Sequence, residues 1–157
     1  MTDAEIDALA TGFCACTLPK ESWTHGAHFA TALWLILTRP DVQPERDMPG
    51  MIRRYNASVG GVNSATSGYH ETITQASLHM ARRLLAGLPA DVTPTTAYIA
   101  LMASPLGDKD WLFTYWSRDV LMATTARLGW VAPDLQPLPA WTDNIEKGRP
   151  LAGPPLP

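Results

Sequence analysis

Residues 24–38, Thr24-His-Gly-Ala-His-Phe-Ala-Thr-Ala-Leu-Trp-Leu-Ile-Leu-Thr38, decide the fold class. Thr24 is a good N-cap, and Arg39-Pro40 stops the helix that follows it. Phe29, Ala30, Leu33, Trp34, Ile36 and Leu37 cover most of the helix surface rather than one stripe. A helix apolar on nearly all sides is a central one, buried by others around it.

Helix signals recur outward from this segment, and strand signals do not. Thr2 with Asp3 and Glu5 opens a first helix to about Phe13, in which Ile6, Leu9 and Phe13 share a face. Residues 14–22, with Pro19, read as a loop. Asp47 is expected to cap a third helix with Pro49 in its first turn, ended by Gly60-Gly61. Residues 60–68 form a loop. A fourth helix is expected over Tyr69–Ala86, with Ile73, Ala76, Met80 and Leu84 one turn apart, and a fifth over Thr95–Ala103. A short aromatic helix, Asp108–Tyr115, leads to a final one from Ser117 to Leu128. Prolines 133, 137, 139, 150, 154, 155 and 157 exclude regular helix beyond Val131.

The expected architecture is therefore all-α: a single-domain bundle of about five to seven helices with a proline-rich irregular C-terminal tail. The domain would span residues 1–147, its tail pinned by Trp130 and Trp141 and tied by an Arg127–Asp134 pair. Residues 148–157 would form a mobile extension. With 157 residues, 46% hydrophobic and 17% charged, the chain can bury a core of its own.

The net charge of −3 and the absence of a basic stripe speak against nucleic acid as a partner. The longest apolar run, Phe29–Leu37, is too short to span a bilayer. The N-terminus lacks a secretory signal, and Cys14 and Cys16 are too close for a mutual disulfide, so a cytoplasmic location is expected.

The residues suited to chemistry sit at two helix starts. In Trp23-Thr-His-Gly-Ala-His28, His25 and His28 are three residues apart on one face, with Cβ atoms about 5–6 Å apart. Both imidazoles can reach one ion at roughly 2.0–2.1 Å, with Gly26 leaving space beside it. Alone, such a pair reads more simply as two polar residues hydrogen-bonded to loop backbone. Gly68-Tyr-His-Glu-Thr-Ile-Thr74 adds His70 and Glu71 at the next start, so three of the four histidines are so placed. Side by side, these starts would bring His25, His28, His70 and Glu71 around zinc, iron, manganese or nickel. Adjacent residues point about 100° apart on a helix, so Glu71 is either the fourth ligand or a general base. His79, half a turn round from His70, is assigned an exposed or structural role.

Arg53, Asn56, Tyr69 and Trp23 are candidates for substrate binding: Arg53 as an anion clamp, Asn56 and Tyr69 as orienting groups, Trp23 as a wall. Glu21 is a candidate partner for an imidazole. The aromatic residues Trp111, Tyr115 and Trp116 read as core or pocket wall.

The string Cys16-Thr-Leu-Pro-Lys-Glu-Ser-Trp-Thr-His-Gly-Ala-His28, with Gly68-Tyr-His-Glu-Thr-Ile-Thr74 and the tail Pro133–Pro139, resembles a family of small bacterial proteins. Its shared motifs are T-L-P-x-x-x-W-x-H-x-x-H and G-Y-H-E-T-x-T, and the resemblance implies no particular activity. The architecture is also similar to that of DinB-like bundles, which implies a metal held by histidines between helices.

Three readings follow. The first is a metal-dependent enzyme acting on a small molecule, with Glu71 catalytic. The second is a metal-free binding module for an anionic or aromatic metabolite. The third is an oligomeric structural or regulatory protein, for instance a homodimer.

Overall fold

The computed structural model describes residues 1–140, so the expectations for Trp141 and for residues 148–157 lie outside the described residues. Among the described residues seven α-helices follow one another: α1 (Asp3–Cys14), α2 (His25–Thr38), α3 (Pro44–Ser58), α4 (Glu71–Ala86), α5 (Pro94–Met102), α6 (Arg118–Leu121) and α7 (Thr124–Leu128). Three 3₁₀ turns separate some of them, and no strand occurs among the described residues. None of these helices is long and apolar enough to cross a membrane.

α2 is apolar all round because it lies between two cores. Phe29 and Leu33 pack with Ala76 and Met80 of α4, Leu101 of α5 and the tryptophans 111 and 116. On its other side Ala30, Trp34 and Leu35 meet Ile6 and Phe13 of α1 and Ile52 and Tyr55 of α3. Leu33 and Leu35 are fully buried, each contributing about 1.5–3 kcal/mol relative to exposure. α4 is the second shared wall, with Ala76 in one core and Leu78 in the other.

Local signals explain most boundaries. At α1, the Thr2 side chain accepts from the Glu5 N–H while the Glu5 carboxylate accepts from the Thr2 N–H at 2.7 Å, a reciprocal capping box. Thr24 caps α2 as expected. α3 differs. It starts at Pro44, three residues before the expected cap, because proline at the first helical position loses no helical bond there. Asp47 instead lies inside the helix, and its carboxylate accepts from the Gln43 N–H at 2.8 Å.

That earlier start puts Pro49 inside α3, where it cannot donate to the Glu45 carbonyl one turn back. The Gln75 amide of α4 takes the missing donor's place, Nε2 to Glu45 O at 3.0 Å. The Glu45 carboxylate in turn pairs with Arg82 of α4. A proline break in one helix has become a point of attachment for the next.

The expected helix from Ser117 to Leu128 is interrupted at Ala123, whose backbone is extended. Its Leu121 carbonyl accepts from His70 Nε2 rather than from a helical N–H. The aromatic segment forms only a 3₁₀ turn, Trp111–Thr114, with Trp111, Leu112 and Trp116 buried as core.

Residues 129–140 run over α4 and are tied to it by side chains. Thr72 Oγ1 donates to Gly129 O and accepts from Val131 N, while His79 Nε2 donates to Pro139 O and Arg83 to Ala140 O. Trp130 packs edge-on against Trp116, centroids 5.8 Å apart. The expected Arg127–Asp134 pair is absent from this arrangement. Asp134 accepts from the Ser117 N–H, and Arg127 donates to the carbonyls of Gly68 and Tyr69.

Candidate functional site

Residues at the starts of α2 and α4, among them His25, His28, His70, Ile73 and Thr74, line a two-lobed cleft. An apolar lobe of about 350 Å³ is walled by Phe29, Met48, Ile52, Leu78, Trp111 and Leu112, with His25, His28, Ser77 and Lys109 also on its surface. A more polar lobe of about 430 Å³ holds Lys20, Trp23, Asn56, Tyr69 and His70. His28, Ile52, Ile73 and Thr74 line both, so the lobes meet at His28. Each is large enough for a small organic ligand.

The three imidazoles are held differently. A carbonyl can only accept, so a ring nitrogen bonded to one must carry the proton. His28 Nδ1 donates to Thr24 O at 2.7 Å, leaving Nε2 unprotonated in the neutral ring and without a hydrogen-bond partner among the described residues. His25 Nε2 donates to Leu106 O at 2.8 Å, leaving Nδ1 in the same condition. His70 has nothing left over. Its Nε2 donates to Leu121 O at 2.9 Å and its Nδ1 accepts from the Ile73 N–H at 3.3 Å.

Two of these details depart from expectation. His70 is the N-cap of α4 rather than a first-turn residue, since the helix begins at Glu71 and not at Tyr69. Gly26 makes room not for an ion but for Tyr98, whose hydroxyl would lie 2.7 Å from a Cβ at that position.

Glu71 is also engaged on both oxygens. Tyr69 Oη donates to Oε2 at 2.7 Å, and Gln75 Nε2 donates to Oε1 at 2.9 Å. Burial and the Glu71 carboxylate push the Tyr69 hydroxyl's pKa far up, fixing it as the donor. Arg53 stacks over the Tyr69 ring, 4.2 Å from its centroid, and lines neither lobe. Among the described residues, no three His, Cys, Asp or Glu side chains are grouped so that they could hold a metal ion. Of the expected set, His25, His28 and His70 line the cleft and Glu71 does not, and His70 and Glu71 are tied to other protein groups.

The substrate-binding candidates divide. Trp23, Asn56 and Tyr69 line the polar lobe, but Asn56 and Tyr69 bond Asn63 and Glu71 rather than a histidine. Trp23 is sandwiched between Phe13 at 4.3 Å and His28 at 4.0 Å, so it both walls the lobe and sets the imidazole's position. The His28 proton is held by the Thr24 carbonyl, not by Glu21. Gly68 closes the loop before α4 at φ +75°, and a Cβ there would meet Val62 O at 2.5 Å.

Burial lowers the pKa of His28 below the usual histidine range, and the neighbouring His25 lowers it further against the opposing Thr24 hydrogen bond. At neutral pH the ring is therefore uncharged, and its bare Nε2 can accept a hydrogen bond or take up a proton. Burial likewise pushes the Cys14 thiol up, away from reactive thiolate. Sequence reasoning missed His79 as the anchor of the tail, and it missed Lys109, Met48 and Leu78 as cleft wall. The first has no local signal, since its Pro139 partner is 60 residues away. No family model matches the chain, and neither the curated proteins nor the solved structures contain a significant match to it.

Proposed function

We propose that this protein binds a small organic molecule, without a metal, in the cleft between α2, α3 and α4. The ligand's apolar body occupies the lobe walled by Phe29, Met48 and Trp111, and a hydroxyl or N–H on it donates to His28 Nε2. The observation that carries this reading is the arrangement of His28: proton held by Thr24 O, ring clamped by Trp23, second nitrogen bare at the junction of two lobes. A bare acceptor in an apolar wall is costly unless a partner supplies the donor, so it selects ligands that do. A zinc, iron, manganese or nickel ion on the expected four residues would require His70 to give up one of its two bonds, either uncapping α4 or stranding Leu121 O. The two free thiols, Cys14 and Cys16, support a reducing, cytoplasmic setting.

Thermal unfolding of untagged protein tests this, with small aromatic and branched aliphatic alcohols, acids and amides added singly, and separately with zinc or EDTA. Several organic members are expected to raise the midpoint, an effect lost in His28→Ala, whereas zinc and EDTA leave it unchanged. Stabilisation by zinc that EDTA reverses, or no response to any organic member, would overturn the proposal.

A further inference from the structure

The charge around the cleft narrows the ligand class. Among the described residues, no Asp or Glu lines either lobe, and the charged side chains that do are lysines: Lys109 at the apolar lobe and Lys20 at the polar one. Lys109 has no ion-pair partner among the described residues. Its chain neighbours Asp108 and Asp110 line neither lobe, and Asp108 Oδ1 is occupied by the Asp110 N–H at 2.9 Å. The same lobe has hydrocarbon and aromatic wall from Phe29, Trp111 and Leu112. The chain as a whole carries −3, so its long-range field favours cations. Any preference for an anion must then arise locally, at the cleft.

We infer that the apolar lobe takes an organic monoanion with an aromatic or branched aliphatic body, its carboxylate at Lys109 and its body against Phe29, Trp111 and Leu112. This rests on the binding reading above and adds to it the sign and the place of the ligand's charge. Neutral His28 offers a lone pair, which a carboxylate oxygen avoids, so His28 and Lys109 sort the ligand's groups. The acid goes to Lys109 and any donor group goes to His28. An ammonium in place of the carboxylate would face Lys109 with like charge.

Three probes with one ring and a two-carbon side chain isolate the effect: phenylacetate, 2-phenylethanol and 2-phenylethylamine. Their dissociation constants are read from NMR shifts of the tryptophan indole N–H groups in wild type, Lys109→Met and Lys20→Met. Phenylacetate is expected to bind about three- to tenfold more tightly than the alcohol, and the amine most weakly, with the advantage shrinking in high salt. Lys109→Met should erase or reverse the preference for acid over alcohol, and Lys20→Met should change it less than about twofold. Equal binding of acid and alcohol in wild type, or an acid preference that survives Lys109→Met, would overturn the inference while leaving the cleft a binding site. Failure of all three probes to move any tryptophan signal would overturn both.

Discussion

The starts of α2 and α4 look alike in sequence, each a loop with an aromatic residue running into histidine at a helix's first positions, yet the molecule uses them in opposite ways. At α4, His70 is consumed by structure: one nitrogen caps the helix and the other holds the C-terminal end of α6. At α2, Thr24 does the capping, so His28 and His25 each spend one nitrogen on a carbonyl and keep one bare. Whether a hydroxyl residue occupies the cap decides whether the histidine beside it is available for anything else. The glycines follow the same division. Gly68 is required by a positive φ and a carbonyl at 2.5 Å, whereas Gly26 faces only the movable tip of Tyr98.

The sharpest way to break this comparison is to remove each ring in turn. His70→Ala loses a cap and strands the buried Leu121 carbonyl, an expected cost of about 2–4 kcal/mol in urea denaturation. His28→Ala loses a ring stack and one partly exposed bond, about 1 kcal/mol, while removing the ligand response. Equal losses would mean that the two starts are not divided into frame and site.

A smaller effect is expected where α4 meets α3. Gln75→Leu leaves Glu45 O without its donor and frees one oxygen of Glu71, about 1–3 kcal/mol. Pro49→Ala restores a helical N–H that can reach that carbonyl, so the double variant should recover part of the loss. Strict additivity of the two changes, measured in a double-mutant cycle, would remove the proposed exchange of donors.

The smallest effect is the dependence on pH. Burial is the leading cause that depresses His28, His70 and His79. A base depressed in the folded state is protonated more readily in the unfolded one. Its stabilisation is complete above the unfolded value, ~6.5, and declines as pH falls through and below it towards the folded values. The melting midpoint should therefore fall between pH 7.5 and pH 5. His70→Ala should flatten that slope in part, and a midpoint that rises on acidification would contradict the burial of these rings in their neutral forms.

Much of the fold was legible because it rests on local patterns. The Thr2 and Thr24 caps, the all-round apolar α2 and the Gly87 stop place α1, α2 and α4 within two residues, and the expected Thr95–Ala103 lies within one residue of α5. What escaped depended on distant partners. Nothing near Pro49 announces that Gln75 will supply its donor, and nothing near Ser117–Leu128 announces that His70 will claim Leu121 O. The candidate cleft was legible to the same degree. The clustering of histidines at two helix starts located the cleft, but which imidazole nitrogens are occupied depends on Leu106 and Leu121, 81 and 51 residues away.

The strap of residues 129–140 has a consequence for the order of assembly. Its anchors are side-chain bonds from Thr72, His79 and Arg83 across separations of 57 to 60 residues. During synthesis α1 to α5 can condense while those three groups are still hydrated, because their acceptors have not yet emerged. The strap's bonds to α4 can form only once residues 129–140 have been made.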